Sequence, residues 1–343
     1  MARRLPAGKL PQDLLATLLA RVARTDPRVL IGPDIGRDAA VIDTGAPCLL
    51  IAKSDPITFA SDRIGAYAVH VNANDIACMG GRPAWFLATV LLPEGCSPEL
   101  PASILDQLMG ACGSLGVELV GGHTEITLGL DRAIVIGAML GEVERDRLVR
   151  PENARPGDAL ILTKGIAIEG TAVLAREAPQ RLRAAGVPAP TIGRAANYLD
   201  EPGISVVAEA FAACDAVRVH AMHDPTEGGL ATALHELAHA CGTGVRVERE
   251  VIEVLPETLA ICDAVGLDPL GLLASGALLI AVAEPDCGRT LRAIEEKGVP
   301  ARRIGSLAAP RGAVIMMVNG EPAPLPRFAR DEVARFLGEA TAR

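Results

Sequence analysis

The fold of this chain turns on residues 71–83, V-N-A-N-D-I-A-C-M-G-G-R-P. They read as the last turns of a helix that begins near Ser61, stopped by Gly80 and Gly81 and barred from continuing by Pro83. Ile64, Val69, Ile76 and Met79 are spaced for one buried face. Asn72 and Asp75 are three apart and share another face. A carboxylate is out of place there, because the C-terminal end of a helix carries partial negative charge. The small neighbours Ala68, Ala73 and Ala77 predict close packing around it. Two readings stay open: a solvated Asp75 in a fraying turn, or one held by a bound cation or an ionised donor.

Working outward, 343 residues suit two domains or one large one, and a 50% hydrophobic composition supplies a substantial core. The net charge is −9, with no basic run beyond Arg3 and Arg4, which argues against nucleic acid and anionic membrane as partners. Aromatic residues are 2% of the chain, too few for base-stacking platforms. The longest apolar runs are strand-length, too short to span a bilayer. The eight cysteines include no C-x-x-C pair and no secretory signal is recognisable, so reduced thiols and a cytoplasmic location are expected.

Residues 10–22 predict an amphipathic helix. Residues 31–43 predict a loop that turns into a strand at residues 39–42, with Asp38 at the junction. Residues 49–53 predict a strand that Pro56 ends, leaving Asp55 at its tip. After the 71–83 helix come a strand at 83–92, a helix at 97–115 capped by Ser97, and a strand at 117–120 running into Gly121-Gly122-His123-Thr124-Glu125. Residues 134–143 predict another strand. The fold class is therefore α/β (α+β). A polar, proline-bearing boundary at 144–157 gives domains 1–150 and 151–320, with a tail at 321–343. The second half predicts strands at 159–163, 217–222, 245–248, 277–283, 301–306 and 313–318, and helices after Gly170, after the turn at residues 201–203, and at 230–241, 257–264 and 285–297.

Asp38, Asp55, Glu125 and Asp224 each stand where a strand is expected to end in a Gly- or Pro-rich turn, and Asp75 joins them from its helix. Converging carboxylates repel and need a counter-charge. Mg²⁺ with nucleotide phosphates fits, since Mg²⁺ takes a few carboxylates and keeps phosphate oxygens and waters. Gly121, Gly122, Gly165, Gly170, Gly228 and Gly229 would let backbone N–H groups approach phosphates. Turn chemistry alone also explains such Asp and Gly residues. His235-Glu236-Leu237-Ala238-His239 matches the H-E-x-x-H zinc motif, but no histidine follows His239 as a third ligand, and ordinary amphipathic packing explains the same helix.

Six ordered segments resemble the superfamily of aminoimidazole ribonucleotide synthase: G-R-D-A-A-V-I, S-D, the 71–83 stretch, V-G-G-H-T-E, M-H-D-P-T-E-G-G-L-A-T-A-L-H-E-L-A and V-G-L-D-P-L-G-L-L-A-S-G-A-L-L-I-A-V. The superfamily includes thiamine-monophosphate kinase, selenophosphate synthetase and the hydrogenase-maturation carbamoyl dehydratases, which this chain matches best overall. The resemblance implies two α/β domains, a homodimer whose N-terminal strands form a shared barrel, and ATP with Mg²⁺ in an interdomain cleft. It implies ATP-driven activation of an oxygen, often an amide oxygen, on a small or partner-borne substrate. By motif, Asp38, Asp55, Asp75 and Asp224 become metal and phosphate ligands. Asp75, Asn72 and Glu125 become candidates for the chemical step, and Gly121, Gly122, Thr124 and Gly165 candidates for holding nucleotide. Departures from the maturation proteins are the E-A-T-A-R end without a cysteine, Glu125 where Lys is usual, Ala274-Ser275-Gly276 in place of N-E-G, and Glu227 where Arg is usual. These departures argue against cyanide-ligand synthesis on the chain's own thiol; the alternatives are a hydrogenase maturation factor like the carbamoyl dehydratases, or a non-catalytic ATP-binding maturation partner.

Overall fold

Helices without a polar face are buried on all sides, and the helix carrying Asn72 and Asp75 is of that kind. In the computed structural model, which describes Leu5, residues 7–23 and residues 25–338, it spans Ile64–Cys78, with fourteen of its fifteen residues buried. The expectation of a single apolar face is corrected: only His70 is not fully enclosed. The Arg3-Arg4 start and the E-A-T-A-R end lie outside the described residues.

The chain divides into two units. The N-terminal unit comprises Asp26–Gly32 and Asp38–Leu148. Its strands are β1 (Val29–Ile31), β2 (Ala40–Ile42), β3 (Cys48–Ile57), β4 (Arg82–Pro93), β5 (Glu118–Thr127) and β6 (Ile134–Glu144). They form one open sheet in the order β1-β2-β3-β6-β4-β5, so the expected barrel is not closed within the chain. Helix α1 (Gln12–Leu19) falls in the other unit; α2 (Ile64–Cys78) lies on the sheet and α3 (Glu99–Leu115) packs on α2. Two glycines of β6 let α2 settle closely: a Cβ at Gly137 would overlap the Asn72 amide, and one at Gly141 would overlap Ile76.

Two strand ends differ from the sequence reading. Pro56 does not end β3, which stays paired with β6 through Ile57. Beyond Ala52 that strand has no β2 partner, and an edge tolerates a residue with no N–H. Gly121 and Gly122 form no turn either: β5 runs through them, parallel to β4, with a register shift beside Val120. A Cβ at Gly122 would overlap the Ala88 carbonyl, so close strand approach accounts for this glycine. Helix α3 begins at Glu99, and Ser97 contributes its carbonyl to Leu100 N–H rather than a side-chain cap to the helix backbone.

The C-terminal unit takes Pro33–Arg37 and the chain from Val149, with the described part of Met1–Thr25. A domain running from 1 to 150 therefore misplaces the N-terminal segment, because Lys9 is bonded to the side chains of Thr226 and Glu227. The unit is a seven-stranded sheet in the order β13-β12-β9-β11-β7-β10-β8. Its strands are β7 (Ala159–Thr163), β8 (Ala221–His223), β9 (Gly244–Glu248), β10 (Leu279–Val282), β11 (Ala301–Ala308), β12 (Val314–Val318) and β13 (Glu321–Pro324). Its later helices are α4 (Ile168–Glu177), α5 (Pro179–Ala184), α6 (Ala189–Ala196), α7 (Val207–Ala216), α8 (Gly229–Cys241), α9 (Pro256–Val265), α10 (Cys287–Glu295) and α11 (Glu332–Gly338). The segment expected as a tail is part of this body: β13 pairs with β12, and Asp331 to Ala334 are buried.

At the end of β7, Lys164 adopts a left-handed backbone (φ 57°) and turns its ammonium inward, 2.8 Å from Glu209 on α7, with both side chains at most 5% exposed. The ammonium also donates to the Ser205 and Gly203 carbonyls. Removing one member of a buried pair strands the other charge. Lys164→Met should lower unfolding stability by roughly 3–5 kcal/mol, and Lys164→Met with Glu209→Leu should recover most of it. Denaturant titration of both variants checks this; equal losses would refute it.

Candidate functional site

In the N-terminal unit the site grows from the pairing of β3 with α2. Strand alternation puts Leu49, Ile51, Lys53, Asp55 and Ile57 on one face, and the three aliphatic members are buried. Lys53 and Asp55 are therefore turned to the covered side of the sheet. The Lys53 Nζ lies 3.3 Å from Asp55 Oδ2 and 3.4 Å from Asp75 Oδ1. Asp75 is 5% exposed at its side chain and Asp55 34%, so the pair is closed beneath and open at Asp55. Of the two readings open for Asp75, the partnered one holds: an ionised donor, Lys53, meets it. Lys53 went unread as a site residue, although the period-two pattern through Leu49 and Ile51 contained the signal.

Asn72 is fully buried and its amide is committed to backbone. Its Oδ1 accepts from Asp55 N–H at 2.9 Å, and its Nδ2 donates to the carbonyls of Asp55 (3.3 Å) and Ala68 (2.8 Å). It fixes the strand residue that carries the carboxylate. The Ser54 hydroxyl adds a bond to the Gly137 carbonyl at 2.8 Å. Asp38 is buried too, with a carboxylate oxygen within 4.8 Å of Cys78 Sγ at the end of α2. Two carboxylates already sharing one cation are hard oxygen donors of the kind Mg²⁺ takes, and the thiol is not.

Gly121, Gly122, Thr124 and Glu125 do not join this cluster within the unit. The row Asp55, Gly137, Ala88, Gly122 crosses three strand pairings, about 14 Å at about 4.8 Å each. Glu125 lies exposed inside β5, 3.4 Å from His123 Nε2 rather than at a strand tip.

In the C-terminal unit, Asp224 is 1% exposed just after β8 and opens the loop to α8. The glycines expected to offer N–H groups to phosphate are already engaged: Gly228 donates to Asp331 Oδ2 at 2.7 Å, Gly229 to the Thr226 carbonyl and Gly170 to the Leu273 carbonyl. Gly165, between β7 and α4, lines a small cavity of about 170 Å³ with Leu162, Glu253 and Arg302. Glu227 accepts from Lys9 N–H at 2.7 Å. Among the described residues, the zinc-motif helix brings together no ligand pair with a third donor. Glu236 is 3.2 Å from His223 Nε2, and His239 is exposed. Burial works against the Glu236 carboxylate, but Lys9 and His223 overcome it and hold its pKa at about 2. His220 pairs with Asp158 at 2.8 Å.

Sequence profiles of AIR synthase related protein match residues 36–143 (N-terminal domain) and 155–317 (C-terminal domain). The chain is 30% identical over 298 residues to a putative hydrogenase expression/formation protein of Methanocaldococcus jannaschii, covering 84% of each. It is 31% identical over 286 residues to carbamoyl dehydratase HypE of Cupriavidus necator, covering 79% of this chain and 77% of that one. Among solved structures it is similar to hydrogenase maturation protein HypE in complex with ATP, with a TM-score of 0.71 at 25% identity over 93% of this chain and 91% of that one. No helix among the described residues is long and apolar enough to cross a membrane.

Glu169, in the first turn of α4, is 5% exposed. Burial above all pushes its pKa up from 4.5 to about 7, and the carboxylates of Asp331, Asp224 and Glu227 add repulsion. A raised carboxyl stabilises the fold fully below its unfolded value and loses that contribution as the pH rises through its folded value. Stability should thus decline between about pH 4.5 and 7, by at most roughly 3 kcal/mol from this group. Glu169→Gln should flatten that decline in denaturant titrations at pH 5 and 7.5; an unchanged slope would refute the assignment.

Proposed function

Because the chain belongs to the AIR synthase related family, we propose that it is an ATP-dependent enzyme, with Mg²⁺ as cofactor, that activates an amide oxygen of a partner-borne or small substrate. The observation that carries the reading is the convergence of Asp55 and Asp75 on one cation, closed beneath and open on the Asp55 side. Bound ATP would supply a phosphoryl group that turns the amide oxygen into a leaving group. Asp55 and Asp75 would hold the metal as oxygen ligands, with Asp38 a further donor of this unit; Asp224 is a separate candidate ligand within the C-terminal unit. Asn72 keeps the Asp55 backbone in place, so that its carboxylate need not be ordered when ligand binds.

Similarity to carbamoyl dehydratase HypE favours a carbamoyl group as the acceptor, in hydrogenase maturation. Similarity to HypE in complex with ATP supports the nucleotide. The exposed apolar residues Val120, Ile126 and Leu128 on and beside edge strand β5 support a homodimer, since an unpaired apolar edge invites a second strand. The eight free cysteines suit a cytoplasmic setting.

Phosphorus NMR of ATP incubated with the protein, Mg²⁺ and carboxamides, including a carbamoylated partner protein, should show phosphate release that depends on the amide. Release independent of every amide offered would overturn the acceptor class. Mg²⁺ and ATP should also raise the thermal midpoint, by the equivalent of about 2.7 kcal/mol at a hundredfold excess over Kd. Asp75→Asn should abolish most of that shift. Equal shifts in the two proteins would remove Asp75 from the site.

A further inference from the structure

A lysine on the covered face of a sheet needs an explanation. Strand alternation could have put an aliphatic residue at position 53, continuing Leu49 and Ile51 toward Ile57. Instead the Lys53 stem runs along that face, with 20% of its side chain exposed, and delivers the ammonium between two carboxylates. A dehydrated ammonium is tolerated only where anions replace its water. The converse also holds: Asp75, 5% exposed on a helix buried all round, needs a cation within reach at all times.

We infer that Lys53, whose ammonium stands between Asp55 and Asp75, is the resident counter-ion of this site and gives up its place to a divalent cation only when phosphates arrive to receive it. The inference rests on the metal–nucleotide reading above and deepens it. The charges set the order of events. One ammonium against two carboxylates leaves a single negative charge, a stable resting state. A divalent ion entering alone would have to share the Asp55 and Asp75 carboxylates with an ammonium already 3.3–3.4 Å from both, and the ammonium would repel it. Nucleotide phosphates reverse the balance, because the four-carbon stem of lysine and its three donors can turn from carboxylate to phosphate oxygen without backbone movement. The side of the pair that leads to solvent is the one at Asp55, 34% exposed at its side chain. Lys53 thereby makes metal entry conditional on nucleotide.

The test is titration with Mn²⁺, following the free ion by electron paramagnetic resonance, with and without a non-hydrolysable ATP analogue. Wild type should bind Mn²⁺ at least tenfold more tightly with the analogue than without it. Lys53→Met should bind Mn²⁺ alone at least tenfold more tightly than wild type does, and should lose most of the dependence on the analogue. Lys53→Arg, which keeps the charge, should behave as wild type. Should Lys53→Met fail to fold, Lys53→Gln removes the charge while keeping a donor and carries the same expectation. A wild type that binds Mn²⁺ with the analogue, beside uncharged variants with unchanged affinity for Mn²⁺ alone, would reduce Lys53 to a structural ion pair and leave the nucleotide reading standing. Failure of wild type to bind Mn²⁺ under either condition would overturn that reading, and the inference with it.

Discussion

A helix enclosed on every side has no water with which to hydrate its polar side chains. That constraint on α2 organises the N-terminal unit. Asn72 and Asp75 must find partners within the protein, and β3 supplies both: the backbone of Asp55 for the amide and the ammonium of Lys53 for the carboxylate. The helix can come this close because Gly137, paired with Asp55 across the sheet, lacks a side chain. Local sequence, helix burial, strand register and the charge arrangement are thus one connected requirement. Loss of any member leaves a buried polar group without its partner.

Much of this was legible in the chain. The Gly80-Gly81-Pro83 stop and the oddity of Asp75 near a helix terminus were readable from residue types, as were most of the strands of the C-terminal unit. Lys53 was not picked out because a strand read as ending at Pro56 leaves its last residues on a solvated tip. Once β3 is known to stay paired through Ile57, alternation turns Lys53 inward. The short helices α5 and α6 were missed for a different reason, being too brief for a periodic pattern to declare itself.

Glycine was the least informative residue. Turn, loop and phosphate cradle share one signature with close packing, and only distances separate them. Gly122 is small because Ala88 presses against it, and Gly137 because Asn72 does. Gly228 and Gly229 do occupy positive-φ positions at the start of a helix, as a phosphate loop would, yet their N–H groups are bonded within the protein. Composition located these segments without specifying what each glycine accommodates.

The bond from Gly228 to Asp331 has a further consequence. The N-terminus of α8 already faces a carboxylate, one that also accepts from Val333 N–H at 2.7 Å. An anion approaching those amides meets a rival tethered to the same chain, at an effective concentration in the millimolar range or above. Affinity at that loop is therefore a ratio of two affinities rather than a property of the amides alone. A substitution at position 331 would alter it by changing the strength of the competitor.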